Sequence, residues 1–84
     1  MRSAAGDPAN WAVLTAWTSS ESRTKRIAAG LARELADADP GDRVDSSMKI
    51  AARFGTTNTM AVNARFFLMG CGIIRKIDRH YYVA

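Results

Sequence analysis

A mainly α chain with a small β-ribbon, a winged helix-turn-helix carrying an extra N-terminal helix, is the fold that three features of the sequence predict. A short helix, a glycine and a longer helix follow one another between Ser46 and Met69, and the apolar period changes from helical to alternating at Ile73. Ahead of them, Trp11, Leu14 and Trp17 recur at helical spacing. In order along the chain, the expected organisation is a disordered start over 1–7, an extra helical segment and linker over 8–22, and the winged unit over 23–84.

Asp7-Pro8 opens the first helix, with aspartate as cap and proline at the first helical position, where its missing N–H costs nothing. The pattern runs to about Thr18 and is interrupted by Ser19, Ser20 and Ser22. A second helix is expected from about Ser22 to Ala38, with Ile27, Leu31 and Leu35 as its inward stripe and Ala28, Ala32 and Ala38 beside it. Arg23, Lys25 and Arg26 occupy its first turns, where positive charge opposes the helix dipole; they read as solvated or as phosphate contacts. Asp37, Asp39 and Asp42 around Pro40-Gly41 do not make a calcium loop, because the glycine is one place early and the terminal glutamate position holds Met48. A turn leading into a short strand at Arg43 to Asp45 fits better.

The third helix begins at Ser46 or Ser47, either of which can cap it, and runs to Phe54 with Ile50, Ala51 and Phe54 on one face. Gly55 stands where a left-handed residue ends a helix. Thr56 and Thr57 can each cap the fourth helix; with Thr57 as cap it extends through Met69 and is closed by Gly70 and Gly72 around Cys71. Met60, Ala64, Phe67, Leu68 and Cys71 face inward in this reading. Val62, Phe66 and Met69 form a second apolar stripe that needs cover, from the tryptophan segment or from a second copy of the chain. Ile73, Ile74 and Ile77, then Tyr81, Tyr82 and Val83, make two β-prone runs about a turn at Asp78-Arg79.

Composition bounds the function. The chain has 84 residues, 48% hydrophobic and 24% charged, which is ordinary for one folded domain. A chain of this size buries only about 60–65% of its unfolded surface, enough for a single core. No apolar run approaches a membrane span and no stretch resembles a secretory signal, so no membrane partner and a cytoplasmic location are expected. One cysteine makes neither an internal disulfide nor a zinc site. His80 is the only histidine and has no carboxylate or cysteine at ligand spacing, so neither catalysis nor a metal or other cofactor is expected. The charge is asymmetric: of the total +4, residues 46–84 carry six basic side chains and one acidic, whereas 1–45 carry six and seven. The carboxy-terminal half would attract a polyanion.

From about Lys25 to the end, the chain resembles the DNA-binding domain of the GntR family of bacterial repressors. The residues that carry the resemblance are Pro40, Gly41, Asp42, Arg43, Val44 and Ser46; Ile50, Ala51, Arg53, Phe54 and Gly55; Thr59, Ala64, Leu68, Gly72, Ile73 and Ile74; and Tyr82, Val83 and Ala84. The spacing is kept without a gap from Pro40 through the start of the wing. Three family arginines that meet DNA are replaced by Met48, Asn58 and Val62, the proline before Ser46 by Asp45, and the glycine-rich wing tip by Asp78-Arg79-His80.

The resemblance implies a small transcriptional regulator, a repressor of bacterial, plasmid or phage origin, whose helix 57–69 enters the major groove of double-stranded DNA. Ser46, Thr56, Thr57, Asn58, Thr59 and Asn63 are short hydrogen-bonding groups suited to that work. Asparagine pairs with adenine and threonine methyls meet thymine, so a bias toward A·T-containing half-sites is expected. Lys49, Arg53 and Arg65 would hold phosphates, while Arg75, Lys76, Arg79 and His80 would place the wing on the phosphates or in the minor groove. The family adds a ligand-sensing domain that this sequence does not show, so control by expression, dimerisation or a partner is expected. A homodimer would double the site, with Trp11, Trp17, Val62, Phe66 and Met69 as its candidate surface. The competing reading is a winged module that uses the same surface to bind a partner protein.

Overall fold

The computed structural model describes residues 8–84, with side chains from Ala12 on. The expected disorder of 1–7, the Asp7 cap and the side chain of Trp11 lie outside the described residues. Four helices, α1 Pro8–Thr18, α2 Arg23–Leu35, α3 Ser47–Phe54 and α4 Asn58–Gly70, precede an antiparallel hairpin of β1 Ile74–Ile77 and β2 His80–Val83. The protein is therefore mainly helical with a small two-stranded sheet. None of the described helices is long and apolar enough to cross a membrane.

Local chemistry accounts for most boundaries. Ser22, Ser46 and Thr57 each adopt an extended backbone and accept the N–H of the residue three places on, at 3.3, 3.3 and 3.2 Å. Gly55 ends α3 at φ +62°, a conformation that opposes a side chain, and its N–H and that of Thr56 return to the Ala51 carbonyl. The hairpin turn takes its left-handed residue at Asp78, φ +57°, tolerated because a short polar side chain crowds little there. One boundary departs from expectation: α2 stops at Leu35 rather than at Ala38. Aspartates at 37 and 39 favour turns over helix interiors, and Pro40 disfavours the helical conformation at the residue before it.

The core is one cluster. Ile27, Ala28, Leu31 and Ala32 of α2 meet Ile50 and Ala51 of α3, Ala61, Ala64 and Leu68 of α4, and Val44, Ile73, Ile74, Tyr81 and Val83 from the sheet end. Leu14 and Trp17 of α1 pack on its margin. Gly30 lets α2 and α3 close on each other: a Cβ there would come within 2.9 Å of the Phe54 ring. The expected strand at Arg43 to Asp45 is only a bridge between Arg43 and Tyr82, although flanking bonds extend it, Val44 N–H to Tyr81 O at 2.8 Å and Val83 N–H to Asp42 O at 2.8 Å. The three residues before α3 are too few, once Ser46 turns into its cap, to continue a ladder.

On α4 the inward set differs from the expected one. Ala61 is buried, and Phe67 is 36% exposed instead of facing the core. The edge of Trp17 covers it, with ring centroids 5.4 Å apart at 62°. Of the second stripe, Val62 is half-buried, Met69 packs against the core and Phe66 stays 50% exposed. The α1 segment thus covers the neighbour of the stripe rather than the stripe itself. Cys71 caps α4, and burial pushes its thiol pKa up.

Candidate nucleic-acid interface

The caps that build the two helices also place their polar ends. Beyond the Gly55 turn, Thr57, Asn58, Thr59 and Asn63 are exposed on the first turns of α4, and Thr56 is half-buried with its hydroxyl 2.9 Å from the Met60 sulfur. The Thr57 and Ser46 oxygens each accept a backbone N–H, which leaves each O–H able to donate elsewhere. Lys49 is exposed on the first turn of α3.

In the hairpin, alternation decides orientation. Ile74 and Val83 pair across the strands on the buried face, with Lys76 and Tyr81 following on the same face. Arg75 opposite Tyr82 and Ile77 opposite His80 take the other face. Arg75, Lys76, Arg79 and His80 are all exposed, and the Lys76 ammonium lies 5.8 Å from the Tyr81 ring centre.

Arg53, expected as a phosphate contact, has its guanidinium engaged within the chain. Its guanidinium bridges Asp45 at 2.7 Å and Glu34 at 2.8 Å, joining α3 to the loop before it and to α2. The hydrogen bond to Asp45 foremost, and that to Glu34, raise its pKa above the ordinary value against the opposing effect of desolvation. Each side chain of this triad is more than a third exposed, so the pairs stabilise the fold by only about 0–1 kcal/mol. Arg53→Ala should therefore shift the urea midpoint slightly and reduce any DNA affinity less than Lys49→Ala. A larger affinity loss from Arg53→Ala, measured by fluorescence anisotropy at fixed salt, would contradict this assignment.

Arg65 also departs from a simple surface cation. It is half-buried with its guanidinium 4.0 Å from the Tyr81 ring centre, and its Nε is buried with no protein acceptor. Of the first-turn cations of α2, Arg23 donates to the Gly55 carbonyl at 2.9 Å and Arg26 to the Ser20 carbonyl at 2.6 Å, so both brace neighbouring turns.

The structure adds a residue that the sequence reading passed over. Arg43 Nη2 lies 2.6 Å from His80 Nδ1. Arginine only donates, so Nδ1 accepts and Nε2 carries the ring proton. The available signal was its place at the start of the short strand expected over Arg43 to Asp45. Arg43, Arg65, Arg79 and His80 thereby converge near the start of α3.

The apolar candidates form a separate feature. Trp17, Phe66 and Phe67 line an open groove of about 630 Å³ between the start of α2 and α4, with Ser22, Thr24 and Asn63 as its polar members. Comparison with protein-family models, curated proteins and solved structures finds no match to this chain.

Proposed function

We propose that α3, the Gly55 turn, α4 and the hairpin constitute a winged helix-turn-helix, and that the chain is a small sequence-specific DNA-binding regulator. In this reading α4 enters the major groove and the hairpin is the wing, on phosphates or in the minor groove. The observation that carries it is the exposed row Thr57, Asn58, Thr59 and Asn63 at the start of α4, in a half of the chain whose only carboxylate side chain is Asp78. Those side chains suit adenine and thymine edges, while Lys49, Arg75, Lys76 and Arg79 supply exposed positive charge. Repression, a cytoplasmic location and a homodimer complete the proposal, the first by resemblance to the GntR family.

Titration of duplex DNA selected from a random pool tests it. Affinity should fall steeply with added salt as counterions are released, and amide shifts should concentrate on residues 56–63 and the hairpin. Salt-independent affinity, or shifts elsewhere, would reject it. A second reading, a winged module that binds a protein, draws on the open groove at Trp17, Phe66 and Phe67. It predicts that a partner shifts those residues and leaves 56–59 unmoved.

A further inference from the structure

We infer that the chain carries a socket for one phosphate oxyanion between the hairpin turn and the start of α3. The inference rests on the DNA-binding reading for its occupant, a single phosphodiester of the backbone, and sharpens that reading from a diffuse basic surface to a built contact.

The space is a recess of about 210 Å³ lined by Arg43, Arg65, Arg79 and His80, with Ser46 and Ser47 at the start of α3, and no carboxylate is among its lining residues. Drug-sized ligands occupy roughly 300–1,000 Å³, so the recess suits a small anion rather than a nucleoside or an effector. Its donors come from four separate parts of the chain, and local structure explains how they meet. The bridge between Arg43 and Tyr82, with the Val44 N–H on the Tyr81 carbonyl, holds the segment before α3 against β2. That contact places the Arg43 guanidinium on His80. From the other side, Arg65 reaches from the middle of α4 to stack on Tyr81.

The chemistry of these groups is that of an oxyanion site. Guanidinium groups present planar forks that match phosphate oxygens, and stacking on an aromatic face leaves the edge of the fork free to donate. Accepting from Arg43 at Nδ1 leaves His80 with Nε2–H as a further donor. Arg65 lines the same recess with its guanidinium held against the Tyr81 ring. Three guanidiniums around one recess repel one another unless a negative charge sits among them. Arg53, close in sequence but held between Glu34 and Asp45, stands outside the recess and serves as an internal reference.

The test has two arms. In the first, inorganic phosphate is titrated against the protein at constant ionic strength, with chloride as the control, while the backbone amides and arginine Nε–H signals are followed by NMR. Saturable shifts of Arg43, Arg65 and His80, with Arg53 unmoved, are expected, and they should be lost in Arg43→Gln. Absence of saturable shifts, or equal shifts with chloride, overturns the socket.

In the second arm, duplex affinity is measured for wild type, Arg43→Gln and Arg43→Lys. Arg43→Gln should bind about tenfold more weakly and lower the salt slope by about one, and Arg43→Lys should recover only part of the loss. Replacing one backbone phosphate at a time by methylphosphonate should reveal a position whose neutralisation costs wild type as much and costs Arg43→Gln nothing further. Because Arg43 is exposed, an unchanged melting temperature is the check that the fold persists. If wild type binds DNA and Arg43→Gln binds it equally well, the socket is wrong and the DNA-binding reading stands. If phosphate shifts the recess while no duplex binds, the socket stands with free phosphate as occupant and the DNA-binding reading falls.

Discussion

Leu68→Ala should destabilise the protein by about 2–5 kcal/mol, the range found when a fully enclosed leucine is truncated and the surroundings relax only in part. Leu68 is 0% exposed in the last turn of α4, in a core shared with side chains from α2, α3 and the hairpin. A domain of this size is held by roughly 4–13 kcal/mol in total, so the variant loses a large part of its margin. The melting temperature should fall by about 10–30 °C. Urea unfolding with an unchanged slope and a lowered midpoint would show that stability, and not the compactness of either end state, has changed. A loss below about 1 kcal/mol would mean that the position is not enclosed.

The second large effect concerns binding. The triple variant Asn58→Ala, Lys49→Ala, Arg79→Ala should lose on the order of a thousandfold in affinity for the selected duplex, from one base-edge pair and two charge-assisted phosphate contacts. All three side chains are exposed and make no hydrogen bond or ion pair to other described residues, so the melting temperature should hardly move. The slope of log affinity against log salt should fall by about two, one for each lost phosphate contact. Equal affinity of variant and wild type in a gel shift with genomic fragments would remove α4 and the wing from the interface. The asparagine should act on sequence preference and the two cations on affinity for any sequence, which separates their roles within the triple.

Where neighbouring residues decide a conformation, the sequence was legible. Gly55 states its own role, because a left-handed stop needs glycine; a hydroxyl cap was readable before α3 and before α4, and the fold selects Ser46 over Ser47 and Thr57 over Thr56. The hairpin was legible for a similar reason, since Ile74, Ile77, Tyr81 and Val83 mark strands on either side of a polar pair. Contacts between distant residues were not. Arg53 meets Glu34 across 19 positions and Arg43 meets His80 across 37, and nothing local to an arginine says which group will satisfy it. Adjacent residues on a helix differ by about 100° in direction, so Phe66 and Phe67 were both eligible to face inward. Trp17, arriving from another helix, covers the second and leaves the first in solvent. The candidate site divides the same way: the polar tip of α4 was readable, and the recess that joins Arg43 to Arg65 and Arg79 was not.

The way α1 is attached has a consequence for how the molecule opens. Among the described residues, Leu14 and Trp17 are its apolar anchors on the shared core, supplemented at its end by the Arg33 to Thr18 and Arg26 to Ser20 bonds. Such a layer should detach before the remainder melts, so its amide protons should exchange with deuterium while those of α4 remain protected. Lifting it would remove the Trp17 edge from Phe67 and enlarge the apolar strip that Phe67 already shares with Phe66, so concentration-dependent association should rise as α1 detaches.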